Sequence, residues 1–202
     1  MKIIDAQFLA SATDLDQLPP PQRAEVAFAG RSNVGKSSLI NRLCDRRKLV
    51  RTSSTPGCTR GINLFEITLR PEGQEENAIL DLVDLPGYGF AKRSKAERKS
   101  WGPLMERFLA ERPGLHAVVV IVDVRRGLEE DDEQLVDYLK HIGRRAIVVA
   151  TKTDKVPKSK SKLAVKKVAD EAGMRVMGFS SQSGDGRDAL WRVLMRAAKL
   201  AE

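Results

Sequence analysis

Residues 30 to 37 read Gly-Arg-Ser-Asn-Val-Gly-Lys-Ser, the G-x-x-x-x-G-K-S pattern of a phosphate-binding loop, directly after the apolar run Val26-Ala27-Phe28-Ala29. No other stretch restricts the fold as much, because this loop works only between a buried strand and a helix whose positive dipole end meets the anion. Lys36 to Leu43 fits that helix, with Leu39, Ile40 and Leu43 on one face. Gly30 and Gly35 let the backbone curl so that successive N–H groups point inward. The expected phosphate contacts are therefore Gly30, Arg31, Ser32, Asn33, Val34, Gly35, Lys36, Ser37 and Ser38. Lys36 is placed to reach the β- and γ-oxygens of a nucleoside triphosphate, and the Ser37 hydroxyl to reach Mg²⁺.

The rest of the chain alternates strand and helix. Strands are expected at Glu25–Ala29, Ile62–Leu69, Ala78–Val83, Ala117–Val122, Ala146–Ala150 and Arg175–Phe179. Helices are expected from Lys36 to about Cys44, around Ser100–Glu111, and at Glu130–His141, Ser159–Ala172 and Asp188–Leu200. The hairpin formed by the second and third strands should be antiparallel. The β-branched run Val118 to Val122 needs cover on both faces, and repeated β-α order implies right-handed crossovers. The fold class is thus α/β, a three-layer P-loop arrangement with a mostly parallel six-stranded sheet, one antiparallel edge strand and helices on both faces. At 202 residues the chain suits one such domain at 23–202, preceded by an extended N-terminal segment at 1–22.

Two cysteines, Cys44 and Cys58, give neither a disulfide framework nor a metal-binding C-x-x-C, which suits a reducing cytoplasm. No secretory leader is expected, because Asp5, Asp14 and Asp16 interrupt the N-terminal apolar stretches. The apolar runs are far short of the roughly 20 residues that cross a bilayer. Lys and Arg number 35 against 27 Asp and Glu, a formal net charge of +8, which favours an anionic partner beyond the nucleotide. Nucleic acid, specifically RNA, is the expected partner, with neither DNA nor a membrane surface.

Two further motifs lie at strand ends, where open α/β sheets bind ligands. Asp84-Leu85-Pro86-Gly87 is D-x-x-G: Asp84 is expected to hold Mg²⁺ through water, and the Gly87 amide to sense the γ-phosphate. Thr151-Lys152-Thr153-Asp154 is T-K-x-D, in which the Asp154 carboxylate can accept both the ring N–H and the exocyclic amine of guanine. Adenine offers no such pair, so ATP should be rejected. Lys152 would pack along the base, and Phe179-Ser180-Ser181 can present a backbone N–H to the guanine carbonyl.

With these motifs in this order the chain resembles the translation-factor-related small GTPases, and more closely the EngB (YihA/YsxC-like) ribosome-biogenesis GTPases. The likeness rests on G-R-S-N-V-G-K-S-S, on Thr55-Pro56-Gly57-Cys58-Thr59-Arg60-Gly61-Ile62-Asn63, on Asp84-Leu85-Pro86-Gly87-Tyr88-Gly89, and on threonine where most GTPases have asparagine in the guanine motif. It spans about residues 5 to 198. The resemblance implies a monomeric cytoplasmic GTPase that binds GTP and GDP and assists assembly of the large ribosomal subunit, with a role in cell division and septation. It implies Ser37 and Thr59 as direct Mg²⁺ ligands, Gly57 as a nucleotide contact, and Lys36, Thr59 and Gly87 as the catalytic set. Thr55 competes with Thr59 as the switch threonine, and Cys58 stands where relatives commonly carry arginine.

Tyr88 occupies the position of the glutamine that orients the attacking water in many GTPases. A phenol suits that task poorly, so slow intrinsic hydrolysis, dependent on a partner or a cation, is expected. Asn33 either caps the loop backbone or resembles the ligand of K⁺-stimulated GTPases. Basic residues crowd the two expected switches: Arg46, Arg47, Lys48, Arg51 and Arg60 near the first, and Lys92, Arg93, Lys95, Arg98 and Lys99 in the second. These point to RNA phosphate, whereas Lys158, Lys160, Lys162, Lys166 and Lys167 read more readily as a solvated helix face. The alternatives are a non-catalytic, GTP-dependent RNA-binding scaffold and a P-loop kinase or ATPase, the latter disfavoured by Asp154.

Overall fold

The computed structural model of the chain describes residues 1–50, 61–89 and 101–200. Its strands are β1 (Lys2–Ala12), β2 (Glu25–Gly30), β3 (Ile62–Arg70), β4 (Ala78–Asp84), β5 (Leu115–Asp123), β6 (Ala146–Thr151) and β7 (Val176–Gly178). Its helices are α1 (Lys36–Leu43), α2 (Pro103–Glu111), α3 (Glu130–His141), α4 (Lys158–Ala172) and α5 (Arg187–Ala197). They form one sheet in the order β1-β3-β4-β2-β5-β6-β7. Pairing is parallel from β4 through β7 and antiparallel at the opposite edge, between β4 and β3 and between β3 and β1.

The sheet has seven strands rather than six. The N-terminal segment, read as extended, pairs along β3 from Lys2↔Arg70 to Ala12↔Ile62, with register shifts at Ile3/Asp5 and Phe8/Ala10. Asp5 and Gln7 interrupt its apolar pattern, so it lacks the clean alternation of a strand buried on one face. Its partner lies about 60 residues downstream, beyond the reach of any local signal.

The core divides along the sheet as the β5 run demands. Ala117, Val119 and Ile121 pack with Leu39, Ile40, Leu43, Trp191 and Leu194 of α1 and α5 on one face. Val118, Val120 and Val122 pack with Phe108, Leu135, Leu139 and Val168 of α2, α3 and α4 on the other. Arginines close the helix ends. Arg144 donates to the carbonyls of Leu109, Ala110 and Arg112 at 2.9 to 3.0 Å, acceptors at the C-terminus of α2, and to that of Leu115 at the start of β5 at 3.0 Å. Arg112 binds the buried Glu25 carboxylate through Nε (2.9 Å) and Nη2 (2.6 Å), while Trp191 Nε1 donates to the last α1 carbonyl, Leu43, at 2.9 Å.

Glu25, Asp81 and Glu66 lie side by side on three neighbouring strands. Arg23 bonds Glu66 at 2.7 Å but stands 3.8 Å from Asp81. Burial therefore dominates at Asp81 and pushes its carboxyl up to about 6, against the pull of Arg23. The folded chain then holds this proton more tightly than the unfolded chain, whose aspartates titrate near ~3.9. Stability from this group is lost as pH rises through about 6 and regained on acidification toward 4. Asp81→Asn should raise the thermal midpoint at pH 7.5, by the equivalent of at most about 3 kcal/mol, and should flatten its rise between pH 7.5 and 5. An unchanged midpoint and slope in thermal melts would remove this assignment.

Candidate nucleotide site

The loop between β2 and α1 is shaped by close approaches. A Cβ on Gly30 would lie 2.9 Å from Val34 Cγ2 and 3.0 Å from the Ile121 carbonyl. Gly35 at φ +101° and Asn33 at φ +66° supply the left-handed turns. Gly35 is the N-cap of α1, with no side-chain cap hydrogen bond, and the first-turn N–H groups of a helix have no partner within it. Lys36 starts the helix and pairs with Asp84, the fully buried last residue of β4. Asn63 Nδ2 stands 3.5 Å from the other Asp84 oxygen, and Ser37, half-buried, follows Lys36 on α1. Against the loop lies Gly87, where a Cβ would stand 3.1 Å from Ser32 Oγ.

The residues of T-K-x-D lie at the same end of the sheet and also brace the loop. Thr151 Oγ1 sits 2.5 Å from the Val34 carbonyl and 3.0 Å from that of Val122. Lys152, itself in the left-handed region at φ 60°, donates to the Asn33 carbonyl at 2.6 Å and pairs with Asp123 at 3.1 Å. Burial alone would raise the Asp123 carboxyl, yet hydrogen bonds from Arg125 and Lys152 hold it well below the usual range. Ser180, two residues past β7, donates from Oγ to Asp154 Oδ1 at 2.7 Å and lowers that carboxyl's pKa. The N–H of Ser180 is occupied by the Asp185 carbonyl at 3.0 Å. That bond leaves Ser181 as the member of the pair with an amide to offer a base. Phe179 is fully buried, its N–H bonded to Ala150 O at 2.9 Å.

Thus Gly30 to Ser38, Asp84, Gly87, Thr151, Lys152, Asp154, Ser180 and Ser181 stand at one end of the sheet. Thr55, Gly57, Cys58 and Thr59 lie outside the described residues, as do Arg51, Arg60, Lys92, Arg93, Lys95, Arg98 and Lys99. Three contributors were not read from sequence as site residues: Asp123, Asn63 and Glu129, the last of which pairs with the expected loop residue Arg31. Asp123 carries a legible signal, since it ends the apolar β5 as Asp84 ends β4. Arg31 and Glu129 are 98 positions apart and share no local pattern. Among the lysines of α4, Lys166 and Lys167 pair within the helix with Asp170 (2.9 Å) and Glu171 (3.8 Å), as a solvated face does. Beside the nucleotide site, Arg42, Arg46 and Arg47 line a cavity of about 510 Å³ that reaches Ser38, Ser181 and Gln182.

A strand–loop–helix of this geometry, joined to D-x-x-G and T-K-x-D, defines a P-loop GTPase, and a family model described as "50S ribosome-binding GTPase" matches residues 25–152. The probable GTP-binding protein EngB of Geobacter metallireducens is 47% identical over 194 residues, covering 95% of this chain and 91% of that one. That of Shouchella clausii is 43% identical over 206 residues, covering both chains completely. The chain belongs to the EngB family of GTP-binding proteins. Among solved structures, a probable GTP-binding protein engB superposes with a TM-score of 0.59 at 24% identity, covering 88% of this chain and 100% of that one. The G domain of the T. maritima FeoB iron transporter gives 0.56 at 24% identity, covering 88% and 99%. These two likenesses concern the fold. No helix among the described residues is long and apolar enough to cross a membrane.

Proposed function

We propose that this GTPase is a monomeric cytoplasmic switch that in its GTP form binds the large ribosomal subunit or its precursor, through rRNA, and leaves after hydrolysis. The observation that carries the guanine part is the position of Asp154, fixed by the Ser180 hydroxyl beside a phosphate loop that Thr151 and Lys152 hold in place. The Asp154 carboxylate accepts the two N–H groups of guanine, the Ser181 amide meets its carbonyl oxygen, and the first-turn amides of α1 take the phosphates. Lys36 turns from Asp84 to the β- and γ-oxygens as the anion enters, and the Gly87 amide reads the γ-phosphate.

The donor set suits Mg²⁺, a hard ion held by one or two carboxylates, a hydroxyl and phosphate oxygens. Asp84 would hold it through water and Ser37 directly, with Thr59 as the further ligand. Bound there, Mg²⁺ neutralises charge on the β- and γ-phosphates. The side chain of Tyr88 is engaged with Asp132 at 2.7 Å rather than with the phosphate loop. This supports slow intrinsic hydrolysis stimulated by the ribosomal partner or by K⁺ near Asn33.

The ribosomal part is supported by the family description and by the arginine-lined cleft beside Ser38 and Ser181, where phosphate contacts add salt-sensitive affinity. A role in division and septation follows if large subunits limit growth. Co-sedimentation with large subunits should be strong with a non-hydrolysable GTP analogue, weak with GDP, and lost steeply as salt rises. Association that ignores the nucleotide would sink the switch.

A further inference from the structure

The run Gly87-Tyr88-Gly89 is packed residue by residue between the phosphate loop and α3. The Tyr88 carbonyl accepts the Ser32 N–H at 3.1 Å, and the Tyr88 N–H donates to the Gly30 carbonyl at 3.4 Å. Gly89 has φ +76°, and a Cβ there would lie 2.8 Å from both Arg31 Nε and Asp131 Oδ2. The Tyr88 side chain is buried. Its hydroxyl donates to Asp132 Oδ1 at 2.7 Å, and its ring meets Trp101 edge-on at 6.3 Å between centroids. Asp132 lies in the first turn of α3, its other oxygen accepting the Glu129 N–H at 3.2 Å. The same turn reaches the phosphate loop, where Arg31 pairs with Glu129 and stands 3.9 Å from Asp131.

Packing alone would be served by phenylalanine. A buried hydroxyl–carboxylate pair carries a desolvation cost that an apolar ring avoids, and what it adds is a single defined position. We propose that the Tyr88–Asp132 hydrogen bond is a latch that fixes Gly87 against the phosphate loop, which makes Tyr88 a positioning residue for the γ-phosphate. The proposal rests on the reading of Gly87 as the residue that meets this phosphate. Because GDP has no group at Gly87, the latch acts on GTP affinity and leaves GDP affinity alone. Burial raises the Tyr88 hydroxyl well above its ordinary pKa, so it remains the donor at neutral pH. Asp132, pushed up to about 6 by burial against the pull of the Tyr88 hydrogen bond, is then mainly ionised and accepts.

The test is calorimetric titration of the full chain, and of Tyr88→Phe, Asp132→Asn and the double variant, with a non-hydrolysable GTP analogue and with GDP. Each single variant should bind the analogue about tenfold more weakly, the worth of one hydrogen bond to a charged group, and GDP within about twofold. The double variant should be no worse than either single. Trp101, one of two tryptophans, supplies a second reading. Its emission should differ between analogue and GDP in the parent chain, much less in Tyr88→Phe, and the signal should vanish in Trp101→Phe. An unchanged analogue-to-GDP ratio, or equal losses for both nucleotides, would overturn the latch. If the variants do not fold, identical Trp101 emission with the two nucleotides in the parent chain overturns it as well. Failure of the parent chain to prefer guanine nucleotides would instead overturn the site reading itself.

Discussion

Asp154→Asn should lower affinity for GTP and GDP by roughly 10²- to 10³-fold while leaving ATP binding negligible, because the amide presents a donor where guanine also presents donors and leaves them unpaired. Xanthine nucleotides, which carry a carbonyl at that ring position, should bind the variant better than the parent. The carboxylate is already oriented by the Ser180 hydroxyl at 2.7 Å, so the change alters chemistry rather than position. Isothermal titration with GTP, GDP, ATP and a xanthine nucleotide checks this directly. Full retention of guanine selectivity would mean that Asp154 does not face the base.

The second large effect is expected at Lys36, and it separates stability from function. Lys36 and Asp84 form a pair in which both side chains are buried. Removing one partner of such a pair strands the other charge, at a cost of about 3–5 kcal/mol. Lys36→Ala should therefore lower the thermal midpoint of the nucleotide-free protein by several degrees and reduce single-turnover GTP hydrolysis by about 10³-fold, since an electrostatic contact to the transferred phosphoryl group is lost. Adding Asp84→Asn removes the stranded charge, so the midpoint should recover while hydrolysis stays low. A midpoint that does not recover in the double variant would show that the loss in Lys36→Ala is not that of a stranded charge.

Much of the fold was legible where burial and period coincide. The β5 run Val118 to Val122 could only be a central strand with cover on both faces, and it is one. Glu130–His141 was bounded to the residue from the spacing of Leu135, Val136 and Leu139, and the acidic first turn and Lys140 and His141 in the last suit the helix dipole. The β3–β4 hairpin was legible from its polar connection. The first strand was not, since Asp5 and Gln7 break its alternation and its stability comes from pairing with β3.

At the site the division follows the same physical line. Loop chemistry that depends on neighbouring residues, such as the glycines and Lys36 of the phosphate loop or the carboxylate that ends an apolar strand, can be read from order and spacing. Contacts between distant parts of the chain cannot. Thr151 and Lys152 looked like parts of a base-binding motif, and the structure shows that they also hold the Val34 and Asn33 carbonyls. Tyr88 looked like a missing glutamine, and the structure shows its hydroxyl on Asp132, 44 positions away. Sequence by itself determined the class of fold and the order of the motifs, because both follow from local backbone geometry and burial. Only the tertiary structure decided which side chains brace the phosphate loop, because those partners meet through the packing of separate strands and helices.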